Sequence, residues 1–349
     1  MSSSRCSPVA LGVVLLPVLS ATCIVQSPPG APASAPRAAP SPPSSPLTVL
    51  DWDGHRAAVS FTFDDAQPSH IEHYAELQAV GVPMTFYLNS GRPDGPAFDA
   101  TWTRAARDGH ELGNHTTHHC HADHAGAIAG CIMGEPVGDA GAEIEDNAAY
   151  ITRRYPQSEV WTMASPFGDK GWIGPARTRV FINRGVGAGM VAPYDRTDPF
   201  DLPVHMAAAG ETAASFNRFT DRARAGGDWL IFLFHSISPT AANWYNPVDV
   251  AEVVRCMSYP RSLGDVWVDT VANVGAYWRG QQLLAAAPSS SSRAGTTWNW
   301  VLPAHFPPGK QLRVTVAGGT LSQNGRPLPR GPRGEYLVAL DAGSLTLSR

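Results

Sequence analysis

Strand-like and helix-like segments alternate along most of this sequence, from about residue 51 to residue 284. The strand-like runs are AAVSFTF (57–63), PMTFYLN (83–89), HELGNH (110–115), VWTMASP (160–166), DWLIFLFHS (228–236) and DVWVDT (265–270). The helix-like segments between them are His70–Val80, Thr101–Asp108, Gly141–Tyr155, Ala213–Ala225, Val248–Met257 and Thr270–Leu284. An alternation of this length predicts an α/β fold built from parallel β/α units, either as a barrel or as a doubly wound sheet.

The two ends of the chain differ from this central region. Residues 1–23 carry one Arg and a short apolar segment, which is typical of a signal peptide and predicts an exported protein: secreted, periplasmic or envelope-anchored. Cleavage near Ala21 and a lipid anchor at Cys23 both remain open. The Pro-, Ala- and Ser-rich residues 24–48 predict a spacer before the main domain at 49–285.

The C-terminal part predicts a different kind of structure. Residues 286–295 contain the serine-rich stretch APSSSSRAG, which indicates a linker. Residues 296–349 hold short alternating runs separated by Gly and Pro turns, and they predict a small all-β module. We expect this module to pack on the main domain as an accessory sheet rather than to act as a free binding domain.

Charge and cysteine content restrict the partners and the compartment. The net charge is −4 with no basic block, which argues against a nucleic-acid partner. We also expect the protein to be a monomer. Three cysteines, Cys120, Cys131 and Cys256, lie outside the signal region. Export permits a disulfide between Cys120 and Cys131, and the alternative is three small buried side chains.

Two adjacent carboxylates, Asp64 and Asp65, follow the first strand-like run directly. Adjacent like charges repel, so water or a bound cation must compensate them. In a parallel barrel the carboxyl ends of the strands form the active-site face. The alternative is a turn in which the Asp side chains bind the backbone.

Histidines are concentrated in one short segment. Half of the 12 histidines lie between residues 110 and 124, namely His110, His115, His118, His119, His121 and His124. Two imidazoles and one carboxylate form a metal site that leaves positions open for water and substrate. His235 follows the apolar run Leu230–Phe234, where it is either a general acid or a half-buried histidine satisfied by a backbone carbonyl.

Four short motifs follow one another along the chain in an order and spacing that are specific together: TFDD (62–65), HTTHH (115–119), ASPFG (164–168) and LFH (233–235). With them, residues 51–284 resemble the polysaccharide deacetylases of carbohydrate esterase family 4, which share the NodB homology domain. The resemblance implies a distorted (β/α)7 barrel, here followed by the small all-β C-terminal module. It also implies a hydrolase that removes acetyl groups from an N-acetylated carbohydrate polymer such as chitin or peptidoglycan.

The resemblance also implies roles for individual residues. Asp64 is expected to be the general base and His235 the general acid. The expected site residues are Asp65, His115 and His119 as ligands of a divalent metal cation, zinc first and cobalt or nickel as alternatives, with Pro166 and Phe167 at the substrate. His118 is a bystander in this interpretation. Side chains available to stack on sugar rings are Trp172, Trp244 and Tyr245.

The sequence departs from the family pattern at two points. The third motif usually carries an Arg that orients the catalytic Asp, and Ala164 occupies that position, with Arg184 as one candidate substitute. The Asp of the fourth motif is not clear, and Asp195, Asp198 and Asp201 are its candidates. Ala164 supports an alternative function as a non-catalytic carbohydrate-binding protein. A related metal-dependent amidase or O-acetyl esterase is the other alternative.

Overall fold

The computed structural model describes residues 46–238 and 245–348 of the chain. The predicted signal peptide, nearly all of the predicted spacer, Cys23 and Trp244 lie outside the described residues. The described residues form one compact unit, which contains both the central region and the C-terminal strands. Within the described part of the chain, no helix has the length and apolar character needed to cross a membrane.

The elements of the central region alternate as the sequence predicts. Its strands are β1 (Leu47–Val49), β2 (Ala57–Phe63), β3 (Thr85–Leu88), β4 (Glu111–Asn114), β5 (His121–Ala122), β6 (Ile128–Ala129), β7 (Thr162–Ala164), β8 (Ile182–Ala188), β9 (Leu202–Met206), β10 (Trp229–Phe234) and β11 (Val266–Val268). Its helices are α1 (Pro68–Glu72), α2 (Tyr74–Ala79), α3 (Gly95–Arg107), α4 (Ala140–Arg154), α5 (Ile173–Ala176), α6 (Ala213–Gly226), α7 (Val250–Leu263) and α8 (Val271–Ala286).

Parallel strands close into a barrel in the order β2, β3, β4, β7, β8, β9 and β10, and β10 pairs back onto β2. The predicted (β/α)7 barrel is therefore confirmed, and the doubly wound sheet is excluded. β11 adds to the N-terminal half of β2, where Val266 pairs with Ala57. The strands β2 and β10 are buried along their whole length, which explains their nearly continuous apolar sequences.

Strands β8 and β9 were not among the strands expected from the sequence. The β8 sequence, INRGVGA, contains two glycines and an asparagine, which are poor strand formers, and its arginine breaks the apolar pattern. The strand forms because it lies between β7 and β9, and because Arg184 is fully buried against partners from other strands. At Gly185 a Cβ atom would lie 2.4 Å from a carboxylate oxygen of Asp201, so glycine leaves room for this side chain.

The C-terminal region is all-β, as predicted, but its boundary differs from the prediction. Its strands are β12 (Ser289–Ser292), β13 (Gly295–Asn299), β14 (Gln311–Val316), β15 (Thr320–Gln323), β16 (Arg326–Pro327), β17 (Tyr336–Ala339) and β18 (Ser344–Ser348). The predicted linker at 286–295 instead contains β12, because the backbone of its four serines pairs with β13. Leu47 and Thr48, assigned to the spacer, form part of β1 and pair with β14.

The C-terminal strands share a hydrophobic core with the barrel. Leu312 and Leu340 belong to the same buried cluster as Trp229 and Trp278. At Gly280 on α8, a Cβ atom would lie 2.7 Å from a methyl carbon of Leu340, so glycine permits this close packing. The shared core makes the C-terminal sheets part of the same folded unit as the barrel.

Candidate active site

The chemically reactive side chains meet at the carboxyl ends of the barrel strands. Asp64 follows β2, His115 follows β4 and His235 follows β10. They line a cavity of about 340 Å³ whose walls are formed by Asp64, Asp65, His115, His119, Ile132, Ser165, Phe167, Val186, Met206, His235 and Tyr245. Asp64 and His235, which are 171 positions apart in the chain, thus face one space.

Three of these residues form a group of metal-binding type. Oδ1 of Asp65 lies 3.2 Å from Nε2 of His115 and 3.3 Å from Nε2 of His119. The potential ligand atoms of all three residues lie within 4.8 Å of one another, and all three residues are buried. Backbone conformation helps to aim them, because Asp65 and His119 both adopt positive φ, at 71° and 51°.

The hydrogen bonds around this group suit a divalent cation. Nδ1 of His115 lies 2.8 Å from the carbonyl oxygen of Ala164 and donates its proton there, which leaves the Nε2 lone pair facing Asp65. Oδ1 of Asp65 is buried and has no hydrogen-bond partner. The other carboxylate oxygen accepts a bond from Gln67 at 3.2 Å. A buried carboxylate oxygen facing two imidazole nitrogens fits a divalent metal ligand set.

Burial and charge act in opposite directions on the ionisation of these groups. Burial alone would raise the pKa of Asp65, but the imidazoles of His115 and His119 hold that pKa well below its usual range. Burial alone would lower the pKa of His115, whereas the carboxylates of Asp64 and Asp65 raise it. The site therefore stabilises the carboxylate form of Asp65 in a buried position.

Asp64 lies beside this group and is held by an arginine. The fully buried Arg184 donates from its Nη2 atom to both carboxylate oxygens of Asp64, at 2.5 Å for Oδ1. Its guanidinium also lies over the ring of Tyr87, 5.1 Å from the ring centre. Arg184 on β8 is the direct strand neighbour of Ala164 on β7. An arginine therefore reaches Asp64 from the strand next to the one where the family pattern places it.

His235 also lines the cavity, and it is held there through its backbone. Nε2 of His70 donates to the carbonyl oxygen of His235 at 2.6 Å. Burial lowers the pKa of His235, and the carboxylates of Asp64 and Asp65 only partly offset this effect. Nδ1 of His235 is buried and has no hydrogen-bond partner.

None of the three aspartates considered for the fourth motif bonds to His235 in the described structure. Asp195 accepts bonds from Ala192 and Thr197. Asp198 pairs with Arg177, and Asp201 pairs with Lys170. These carboxylates bind their local turns and neighbouring cations, so the three candidates are corrected to structural roles.

The third motif contributes an exposed aromatic ring. Phe167 lines the cavity at a φ of 57° and is 42% exposed, whereas Pro166 is buried and does not line it. The Phe167 ring stacks on His121 with 3.6 Å between ring centres, and it meets the edge of His119 at 4.4 Å. His121 in turn binds Asp169 at 2.8 Å. His121 and Asp169 therefore hold the ring of Phe167 beside the metal-type group.

The residues considered for sugar stacking differ in their accessibility. Trp172 is fully buried in the core, so the structure corrects its assignment as a stacking residue. Tyr245 is 58% exposed, lines the cavity and meets His235 edge-on at 5.0 Å. Phe167 and Tyr245 are thus the aromatic rings that the described structure presents at the cavity.

Other residues of the histidine-rich segment have structural roles. Nδ1 of His118 bonds to the buried Glu143 at 2.9 Å, which turns the ring away from the metal-type group. His110 is buried between Met84 and Gln78. The bond between Cys120 and Cys131 closes the loop that follows. The disulfide alternative is therefore the one found, and Cys256 is buried and free.

Sequence reasoning missed the residues that support the site from behind. Gln67 and His70 bond to Asp65 and to the backbone of His235, and Nη1 of Arg92 donates to the carbonyl oxygen of Asp65 at 3.2 Å. Gln67 and His70 follow the two aspartates closely in the chain, and this proximity was the only available signal. For Arg92, which is 27 positions from Asp65, the sequence offers no signal.

The barrel and its site define a β/α-barrel protein with a metal-type centre at the strand carboxyl ends. Residues 53–175 match the family model described as polysaccharide deacetylase, which confirms the resemblance read from the motifs. Over these matched residues the chain is thus similar to the polysaccharide deacetylase family. The search of curated proteins gives no match.

Solved structures of low sequence identity are similar to part of the chain. One is a family 4 acetyl xylan esterase from Clostridium thermocellum in complex with cobalt, at 16% identity and a TM-score of 0.39, covering 62% of this chain and 89% of that one. Another is a family 4 pseudoenzyme from Bacillus anthracis, at 15% identity and a TM-score of 0.40, covering 62% and 65%. A third is a mutant of the peptidoglycan deacetylase PdaC from Bacillus subtilis, at 16% and 0.39, covering 64% and 91%.

Proposed function

We propose that this protein is a metal-dependent deacetylase of N-acetylated polysaccharides. The observation that carries the proposal is the convergence of Asp65, His115 and His119 beside a fourth, arginine-bound carboxylate, Asp64. A divalent cation held by the first three residues would polarise the amide carbonyl and lower the pKa of a water molecule. Zinc is the cation we expect, with cobalt and nickel as alternatives.

In this proposal Asp64 acts as the general base. It takes a proton from the attacking water, a contribution typically worth about a hundredfold to ten-thousandfold in rate. Arg184 contacts both carboxylate oxygens of Asp64 and so holds the base in place beside the metal-type group. Arg184 is a positioning residue, because it acts through Asp64.

His235 acts as the general acid. An amine is a poor leaving group as an anion, so a proton must reach the amide nitrogen as the carbon–nitrogen bond breaks. His235 lines the same cavity as the metal-type group, and His70 bonds to its backbone carbonyl oxygen. We assign the backbone N–H of Phe167 to the developing oxyanion, since this residue lies at the cavity wall. The products are acetate and the free amine.

The non-catalytic alternative loses its main support. Ala164 suggested a binding protein without a properly held base, but Arg184 contacts Asp64 from the neighbouring strand. A binding protein has no need for a base and an acid in the same cavity as a metal-type group. An O-acetyl esterase would use the same base, and it remains an outcome of the test below.

Acetate release provides the test. The purified protein, loaded with zinc, is incubated with chitin oligomers, peptidoglycan fragments and acetylated xylan, with and without chelator. We expect acetate from the N-acetylated substrates, loss of activity with chelator and recovery on zinc addition. Release from acetylated xylan alone would make the protein an O-acetyl esterase. Binding of the oligomers without acetate release from any substrate would favour the non-catalytic alternative.

We also propose that the protein is exported, either secreted, periplasmic or anchored at Cys23, and that it acts as a monomer. The bond between Cys120 and Cys131 supports export, because structural disulfides persist mainly in oxidising compartments. Mass spectrometry of the mature protein from its native host tests the export proposal. A mature N-terminus near residue 22, or a lipid on Cys23, is expected, whereas an intact Met1 on cytosolic material would contradict it.

A further inference from the structure

Exposed apolar side chains gather at the mouth of the cavity. Ile132, Phe167, Val186 and Tyr245 are large apolar residues that are 54%, 42%, 37% and 58% exposed, and all four line this one cavity. We call these four side chains the apolar rim. Grouped exposure of this kind marks a binding surface, whereas apolar side chains exposed singly are ordinary.

The charges of the cavity lie below the rim and are already compensated. Asp64 is bound by Arg184, and Asp65 faces two imidazoles. No lysine or arginine is among the described residues that line the cavity. A carboxylate on the substrate would therefore lose water at the rim without gaining a lysine or arginine partner from the described lining.

The position of Ile132 is fixed by covalent and backbone contacts. It directly follows Cys131, which is bonded to Cys120. Its backbone N–H donates to the carbonyl oxygen of His119 at 3.3 Å, and that of Met133 donates to the carbonyl oxygen of His118 at 3.2 Å. The loop therefore returns onto the histidine-rich segment and places the Ile132 side chain at the cavity mouth.

We propose that the site selects glycan chains whose sugars next to the reacting N-acetyl group are uncharged, and that Ile132 is a specificity-determining residue. The inference rests on the proposed function and narrows its substrate class. The apolar C–H faces of uncharged sugar rings can cover Ile132 and Val186 and stack on Phe167 and Tyr245. A neighbouring uronate or other carboxylate-bearing sugar would bring its charge against the same surfaces.

Matched substrates test the selection by charge alone. Acetate release is measured with chitin oligomers, with hyaluronan oligomers, and with the same hyaluronan oligomers after methyl esterification of their carboxylates. Because an unpaired carboxylate is costly to desolvate, we expect kcat/KM to rise about tenfold or more on esterification. Equal values for the acid and the ester, or a preference for the acid, would overturn the proposal.

Variants of the rim test the role of Ile132. Ile132→Lys should reduce the ratio of kcat/KM for the ester to kcat/KM for the acid at least about threefold, because the lysine supplies a cation at the rim. Val137→Lys is the matched control, since Val137 is 49% exposed after the same loop but does not line the cavity, and it should leave the ratio unchanged. An equal effect of both variants would show that overall charge, and not the rim, sets the preference.

Failure of the proposed function has a different signature. In that case no acetate appears from any substrate, and calorimetric binding of the three oligomers replaces kinetics as the measurement. The selectivity would be supported even then if the ester bound more tightly than the acid, and if Ile132→Lys but not Val137→Lys reduced this difference in affinity. Equal binding of acid and ester would end it.

Discussion

The guanidinium of Arg184 contacts both carboxylate oxygens of Asp64 inside the barrel, where Arg184 is fully buried. Arg184 occupies the position on β8 that pairs with Ala164 on β7. The third motif of the family places its arginine at the position of Ala164. The same charge thus reaches the same carboxylate from an adjacent strand, and the loss of one motif residue does not leave Asp64 unpaired.

This relationship predicts the effect of replacing Arg184. Arg184→Met should lower kcat by about a hundredfold because Asp64 is no longer held in place, while KM and bound metal change little. Arg184→Lys should be intermediate, since an ammonium on a flexible stem keeps the charge but lacks the planar guanidinium that packs over Tyr87. Steady-state kinetics, metal content and thermal unfolding are measured together.

A control and a rescue separate positioning from folding. Arg279→Met removes another partly buried arginine, which donates to the carbonyl oxygen of Phe181 and has no contact with the cavity. It should change stability but not kcat. Adding Ala164→Arg to Arg184→Ala should recover part of the lost kcat from the neighbouring strand. Wild-type kcat in a folded Arg184→Met protein would show that the ion pair has no catalytic importance.

The metal-type group predicts a division between binding and turnover. Asp65→Ala and His119→Ala should lose bound zinc and activity together, because each removes one of three ligands. Asp64→Asn should keep zinc and lose turnover, because it removes the base and leaves the ligands. Metal content is measured by inductively coupled plasma mass spectrometry, and acetate release is measured in parallel.

His118→Ala is the control for this series, since His118 binds Glu143 and not the metal-type group. It should retain zinc even if the loop is less stable. Loss of zinc in His118→Ala but not in His119→Ala would reverse the ligand assignment. An unchanged rate in Asp64→Asn would remove Asp64 from the role of base.

Two buried histidines predict acid sensitivity of the fold. Burial lowers the pKa of both His70 and His110 from 6.5 to about 4. The unfolded chain therefore binds more protons than the folded chain between these pH values, so stability falls as pH falls from 6.5 towards 4. Each histidine accounts for roughly 3 kcal/mol of that loss. Chemical unfolding at several pH values measures it.

His110→Gln provides the comparison for this prediction. The amide of glutamine cannot take up a proton in this range. The variant should therefore lose about half of the pH-dependent fall in stability that the two histidines cause between pH 6.5 and 4. His121→Gln is the control, because His121 is exposed and pairs with Asp169. An unchanged slope in His110→Gln would show that His110 is protonated as easily in the folded chain as in the unfolded one.

The disulfide predicts a loss of stability on reduction. The bond between Cys120 and Cys131 closes a short loop beside His119, so Cys120→Ser with Cys131→Ser should cost about 2–3 kcal/mol of unfolding free energy. Reductant should lower the unfolding midpoint of the wild type to that of the double variant. Reductant should leave the unfolding midpoint of the double variant unchanged. A further fall of that midpoint would show that reductant acts through something other than this disulfide.

The order of strands and helices was readable from the sequence because both faces of each inner strand are buried. Runs such as AAVSFTF and WLIFLF are apolar along their whole length, and all their residues are buried in the barrel. The motif residues were equally readable, since a strand that ends in two aspartates or in a histidine places them at one edge of a parallel sheet. Strand β8 was not predicted because its glycines and its arginine interrupt the apolar run by which the other inner strands are recognised.

The sequence by itself determined the β/α alternation, the strand-end placement of Asp64, Asp65, His115 and His235, and the all-β character of the C-terminal region. These features follow from local patterns of burial and turn formation, which can be recognised within segments of a few residues. Only the tertiary structure decided that the sheet closes as a barrel, that Cys120 bonds to Cys131 and that Arg184 binds Asp64. Such contacts depend on which strands become neighbours, and that choice is made by the packing of the whole barrel rather than by any one segment.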